Sequence, residues 1–292
     1  MKRFERLPDN VQHLPFPRVP LKKFFYFFFS GFLNYRRVDY IEAYGASAIL
    51  PALIFKISGA RLFLYYRWDL SGIMRDQNKF ILSFLAKVVE IIAFKTADVI
   101  AVTTKSLCEK VSRYAKRAKI HLLPNYVDTD HFKRIEMTKK QNLLIFAGRL
   151  HPDKNLPLLL EAMGRLPDYE LWIIGEGVLR EQLRQQKKEN EIANVKFLGL
   201  VQNKELPNYL NKAEAFILIS HREGHPKALI EAMACGLPCI GTNVDGIRDV
   251  IIEGENGFLC EKNVGSIRDC ILTLFGDRER MKRLGENARI FC

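Results

Sequence analysis

At 292 residues the chain exceeds one typical domain and suits two, each able to bury its own core. Its 48% hydrophobic and 27% charged residues, with 18 Gly and 12 Pro, exclude the disordered and fibrous classes. Lys and Arg outnumber Asp and Glu by 45 to 33, a formal charge of +12 that favours polyanionic partners without choosing among nucleic acid, anionic headgroups and phosphorylated small molecules.

Residues 1–38 carry Lys2, Arg3, Arg6, Arg18, Lys22, Lys23, Arg36 and Arg37 against Glu5 and Asp9, beside the aromatic run Phe24 to Phe29. The run is far shorter than the ~20 residues of a spanning helix, so no transmembrane segment is expected. Two readings fit this stretch equally: a surface lying on an anionic membrane, and a helix packed on a sheet with its basic face in water. Nothing at the N-terminus resembles a cleavable signal. The six cysteines (Cys108, Cys235, Cys239, Cys260, Cys270, Cys292) lack CxxC spacing. Reduced thiols in a cytoplasmic protein, peripheral on the inner face of the membrane if the first reading holds, are the expectation.

Further along, strands are predicted near Asp39 to Ala43, Arg61 to Tyr65, Val99 to Thr103 and Ile120 to Leu123, with helices near Ala46 to Ile57, Phe80 to Phe94 and Ser106 to Tyr114. Residues 124–141 have no apolar period and read as the interdomain linker, with the boundary near 138. Beyond it the rhythm of a wound parallel sheet is complete. Strands are predicted at Leu143 to Ala147, Glu170 to Ile174, Val195 to Leu198, Ala215 to Ser220, Pro238 to Thr242 and Gly257 to Cys260. Helices are predicted at Leu156 to Leu166, Leu179 to Lys188, Lys204 to Lys212, Lys227 to Cys235, Ile247 to Glu253 and, last, Val264 to Phe275. The fold class is α/β, with an incomplete Rossmann-like domain over 1–137 and a complete one over 138–292.

The densest chemistry spans Ser220 to Gly236, SHREGHPKALIEAMACG. A strand ends at Ser220, a polar loop holds Glu223 and Gly224, and Pro226 opens a helix at the position where its missing N–H costs nothing. Ligands of such folds bind beyond the carboxyl ends of the strands, so free N–H groups near Lys227 and Ala228, aided by the helix dipole, form a site for a phosphate or another electron-rich group. Lys227 adds a charge, and Glu223 and Glu231 can accept hydrogen bonds from sugar hydroxyls at one pocket.

Glu223 and Glu231, seven residues between them, resemble the EX7E motif of glycosyltransferase family 4, retaining enzymes of the GT-B fold. FAGRLHPDKN (Phe146 to Asn155), IIGEG (Ile173 to Gly177), VKFLGLV (Val195 to Val201) and DGIRDVIIEGENGFL (Asp245 to Leu259) agree in order and spacing. The resemblance implies that Gly148, Arg149 and Lys154 of the GRL segment hold a donor diphosphate, two cations offsetting the leaving-group charge so that no metal or other cofactor is needed. It implies that Glu231 binds the ribose and that Glu223 is catalytic and faces the transferred sugar. The turn Gly224, His225, Lys227 and Ala228 would bind sugar and phosphate, and Gly199 to Val201 would frame the base. Singly, Arg149 and Lys154 read as solvated charges and Glu231 as an exposed helix residue; jointly those readings require five coincidences in order.

VDYIEAYG, ADVIAVTTKSL and IHLLPNYVDTDHF are similar to the family's acceptor domain, with Tyr126 where Gly is usual. Relatives begin with a strand and a Gly-rich loop and end on a helix crossing back to the first domain; from the resemblance, this sequence is expected to start after the former and stop before the latter. Where many relatives place a His, this chain has Tyr66-Arg67-Trp68-Asp69, making Asp69 a second catalytic candidate. His13, His121, His131, His151 and His221 have no partners at metal spacing and read as solvated or capping groups.

The function expected is therefore retaining transfer of a hexose from a UDP- or GDP-sugar to a hydroxyl of a saccharide or lipid-linked acceptor, in glycan, glycolipid or cell-surface polysaccharide synthesis. The alternatives are an inactive nucleotide-sugar-binding fragment and a nucleotide-sugar epimerase of the same architecture. Specific nucleic-acid binding is not expected, for want of stacking aromatics interleaved with basic residues.

Overall fold

The computed structural model describes residues 39–44, 49–56 and 59–292. The basic, aromatic N-terminal stretch and the start of the helix expected from Ala46 lie outside the described residues.

The first domain is a four-stranded parallel sheet in the order β1 (Tyr40–Tyr44), β2 (Arg61–Tyr66), β3 (Val99–Val102), β4 (Lys119–Leu122). Its helices are α1 (Ile49–Lys56), α2 (Leu70–Asp76), α3 (Phe80–Thr96) and α4 (Lys105–Ser112). The core gathers Leu62, Leu64, Tyr66, Phe94, Ile100 and Val102. Sequence periodicity misses α2, whose Ser71-Gly72 pair disfavours a helix. Asp69 compensates as its cap, accepting the Gly72 N–H at 2.7 Å.

The second domain is a six-stranded parallel sheet, β10 (Gly257–Cys260), β9 (Cys239–Thr242), β8 (Ala215–Leu218), β5 (Leu143–Ala147), β6 (Glu170–Ile174), β7 (Val195–Gly199). The central strands β5, β8 and β9 are buried at every residue, as strands covered on both faces must be, and β5 and β8 are uninterrupted apolar runs. The helices are α5 (Leu156–Gly164), α6 (Arg180–Glu189), α7 (Leu206–Lys212), α8 (Lys227–Ala234), α9 (Asp245–Arg248), α10 (Val264–Gly276) and α11 (Arg278–Phe291). Two sequence readings are corrected. The helix expected over Ile247 to Glu253 shrinks to α9, because the Asn256 side chain accepts the Ile252 N–H and donates to the Val250 carbonyl, holding the chain in a turn. The expected last helix is followed by α11, which buries Met281, Leu284 and Ala288 and is capped by Asp277.

The tract read as linker packs against this second domain. Phe132 joins its core. Asn211 accepts from the Ile135 N–H and donates to the Lys133 carbonyl, and Arg289 donates to the carbonyls of Thr129 and Phe132.

Candidate active site

β5 and β8 are neighbours from which the chain winds in opposite directions, to β6 on one side and β9 on the other. A crevice opens beyond the carboxyl ends of strands at such a switch point. The predicted donor residues leave the sheet there.

After β5, the Gly148 N–H donates to the Ile174 carbonyl and Arg149 stands exposed. Gly175, at φ +130°, donates to the Gly199 carbonyl, and a Cβ on it would lie 1.9 Å from the Gly148 oxygen. The loops after β5, β6 and β7 are thereby drawn into one row that ends at the partly buried Val201. His151 caps a 3₁₀ turn, Pro152–Lys154, whose exit through Asn155 is left-handed. From this turn Lys154 Nζ reaches Glu223 Oε1 at 2.5 Å, and Ser220 Oγ donates to the same oxygen at 2.7 Å. The Glu223 side chain is 4% exposed and Lys154 19%, so the pair is largely shielded from water.

The Glu223 loop is fixed on three sides. The His221 N–H donates to the Asp153 carbonyl, Ser220 and Thr242 exchange two hydrogen bonds, and Gly246 lies against the loop so closely that a Cβ would meet the Gly224 oxygen at 1.8 Å. Between them Arg222 holds Nε 3.6 Å from Asp153 and Nη2 3.8 Å from Asp76 of the first domain. Its Nε and Nη1 are buried with no hydrogen-bond partner.

Pro226 opens α8 with no capping side chain, leaving the first-turn N–H groups at Lys227 and Ala228 available to a ligand. Lys227 is exposed, and its Nζ lies 3.6 Å from Glu231. Glu231 is buried rather than an exposed helix residue. Burial pushes its carboxyl above the ordinary range, and Lys227 offsets part of that rise. His225 is partly buried with Nδ1 unpaired. Burial lowers its pKa, and Asp249 opposes the shift.

The first domain supplies the facing wall. A cavity of about 340 Å³ lies between Arg67, Asp69 and Asp76 on one side and Arg222, Glu223 and Arg248 on the other. Hydrogen bonds cross beside it: Asn125 donates to the His225 carbonyl at 2.5 Å while accepting from Arg67, and the Lys105 N–H donates to Asp249 at 2.7 Å.

Asp69 reaches this wall, but its Oδ1 already accepts from Gly72, Ser71 and Lys110. Burial raises its pKa; the Lys110 ammonium, the Gly72 N–H and the Ser71 hydroxyl outweigh that and hold it below the usual carboxylate range. Lys110 also bonds Glu90 at 2.7 Å and the Tyr66 hydroxyl at 2.9 Å. The carboxyl expected to act on substrate lines the cavity and also caps α2 and pairs with Lys110. Periodicity gives no sign of Glu90 and Lys110, which meet from separate helices. Arg222 and Asn125 escape notice as single polar residues in loops, although Arg222 lies within the motif segment itself.

A family model described as Glycosyl transferases group 1 matches residues 127–291. The chain is 29% identical over 208 residues to N-acetyl-alpha-D-glucosaminyl L-malate synthase of Bacillus anthracis, covering 66% of this chain and 54% of that protein. It is 32% identical over 176 residues to the UDP-Gal:alpha-D-GlcNAc-diphosphoundecaprenol alpha-1,3-galactosyltransferase of Escherichia coli, covering 54% and 45%. The chain spans about half the length of the curated relatives it matches. Among solved structures, sucrose-phosphate synthase from Thermosynechococcus elongatus superposes with a TM-score of 0.80 at 20% identity, over 97% of this chain and 80% of that one. That likeness gives the fold: GT-B, two Rossmann-like domains facing a cleft.

Proposed function

The chain belongs to the glycosyl transferases group 1 family, and we propose that it transfers a hexose, with retention, from a UDP- or GDP-sugar to a hydroxyl of a saccharide or lipid-linked acceptor. The observation that carries this reading is the shielded Lys154–Glu223 pair at the β5/β8 switch point, between exposed Arg149 and the open start of α8. In the proposed reaction the bond from sugar C1 to the diphosphate oxygen breaks and its electron pair leaves with the diphosphate. The acceptor oxygen bonds C1 on the same face, and its proton passes to the departing diphosphate oxygen. Arg149, Lys154 and the α8 N–H groups stabilise the charge that gathers on the leaving group, which is where fixed cations and dipoles lower a barrier most. On this reading no metal is required. Glu223 faces the transferred sugar, Glu231 holds the ribose, and the turn after β7 at Val201 frames the base. The acceptor enters from the first domain, with domain closure excluding water.

The test is a thermal-shift comparison of the protein with UDP, GDP and ADP. Ligand at about 100 times Kd stabilises by ~2.7 kcal/mol, or roughly 5–10 °C for domains of this size. One nucleotide should give that rise, and Arg149→Ala should remove it. No rise with any nucleotide, or an unchanged rise in Arg149→Ala, overturns the donor site.

A further inference from the structure

A helix packed on a core ordinarily turns a polar side to water, and α3 turns an apolar one. Ala86, Glu90, Ala93 and Phe94 face inward and are buried. On the outer side Ile81 is 79% exposed, Phe84 67%, Phe80 66% and Leu85 53%, with Val88 and Ile92 continuing the stripe. Lys79, Lys87 and Lys95 are also exposed. The one acid between Lys79 and Thr96 is Glu90, which is buried and paired with Lys110. Exposed apolar surface that is contiguous along four turns marks an interaction site rather than ordinary surface.

We propose that this face of α3 docks the protein on an anionic lipid bilayer, the apolar stripe entering the acyl boundary and the three lysines meeting headgroup phosphates. The charges select the occupant. A second copy laid on the stripe would set lysines against lysines, with no carboxylate on the face to pair them. Residues 1–38 of the same chain carry Lys and Arg far in excess of Asp and Glu, so they too bring like charge. An anionic bilayer offers both an apolar depth and the opposite charge. The placement is also apt. Only Gln77 to Lys79 separate α3 from Asp76, which lines the cleft and lies 3.8 Å from Arg222, so a bilayer on α3 lies beside the mouth of the cavity.

The test is flotation of the full chain with vesicles of phosphatidylcholine alone and of equal parts phosphatidylcholine and phosphatidylglycerol, with sedimentation and melting of the lipid-free protein alongside. The chain should float with the anionic vesicles. Ile81→Ser with Phe84→Ser should lower partitioning about a hundredfold, and Lys87→Glu with Lys95→Glu at least about tenfold. Both variants should melt with the parent, since the altered side chains stand in water, and both should keep the nucleotide-induced stabilisation, so a failure here is separable from a failure of the donor site. Unchanged flotation of the apolar variant would assign membrane contact to residues 1–38 and overturn the proposal. A lowered melting point would show that the chain itself covers the face, concentration-dependent mass lost in the variant would show a second copy there, and equal binding to neutral vesicles would remove the anionic requirement; each overturns it.

Discussion

Replacing Glu231 with Gln should move two measurements in opposite directions. The Glu231 side chain is 7% exposed, and its ion-pair partner, Lys227, is 62% exposed and 3.6 Å away. Burial raises the carboxyl more than Lys227 lowers it, so the folded protein holds this proton more tightly than the unfolded chain. A raised folded pKa gives stability that is present below the ordinary carboxylate range and lost as pH rises through the folded value. Gln has no such titration. The melting temperature of the variant minus that of the parent should therefore grow more positive from pH ~4 to pH ~8. Nucleotide binding should respond the other way. Gln keeps an acceptor oxygen but not its charge, and a hydrogen bond to a charged acceptor is about twice as strong as one to a neutral acceptor, so a loss of roughly 1.4 kcal/mol weakens binding about tenfold. Nucleotide at about 100 times the parent Kd would then stabilise the variant by ~1.4 kcal/mol instead of ~2.7. The thermal shift falls from roughly 5–10 °C to about 3–5 °C. Differential scanning fluorimetry across pH, with and without the nucleotide that stabilises the parent, measures both. A melting difference that is flat or falls with pH refutes the burial argument, and a retained nucleotide shift refutes the ribose contact.

Glu223→Gln keeps the shape and the Ser220 and Lys154 hydrogen bonds but removes the charge; kcat/KM for sugar transfer should fall about 10²–10³-fold with nucleotide stabilisation retained, and unchanged turnover sinks the catalytic assignment. Lys110→Met leaves Glu90, 1% exposed, without a counter-charge, which should cost roughly 3–5 kcal/mol. The double variant with Glu90→Gln should recover much of that in calorimetry; a single variant as stable as the double removes the network from the account.

Much of the second domain is legible because its central strands leave no choice. LLIFA over Leu143 to Ala147 and AFIL over Ala215 to Leu218 are uninterrupted apolar runs, and the loops that follow them carry Arg149, Lys154 and Glu223. The pairing of Lys154 with Glu223 is not legible, because it spans 69 residues and depends on β5 and β8 lying side by side. Nor is the burial of Glu231: a lone carboxylate at helical spacing ordinarily faces water, and only the packing of α8 on β8 and β9 turns it inward. Asp69 is legible only in part. Its place after β2 marks it out, whereas the donors that meet its Oδ1 come from α2 and α4. In α11, RERMKRLGENARIF masks its three buried apolar residues among charges, so the helix is evident only once they pack.

The hydrogen bonds from Asn125 to the His225 carbonyl and from the Lys105 N–H to Asp249 have a common form: a side chain on one domain meets main chain on the other. Sequence drift is therefore constrained on one side of each bond. The Lys105 and His225 side chains can change without loosening these contacts, while Asn125 and Asp249 cannot. Across related sequences the latter two should stand as solitary fixed positions, lacking the paired substitutions that betray contact between two side chains. A search for coupling between the domains by correlated change would pass over these two bonds.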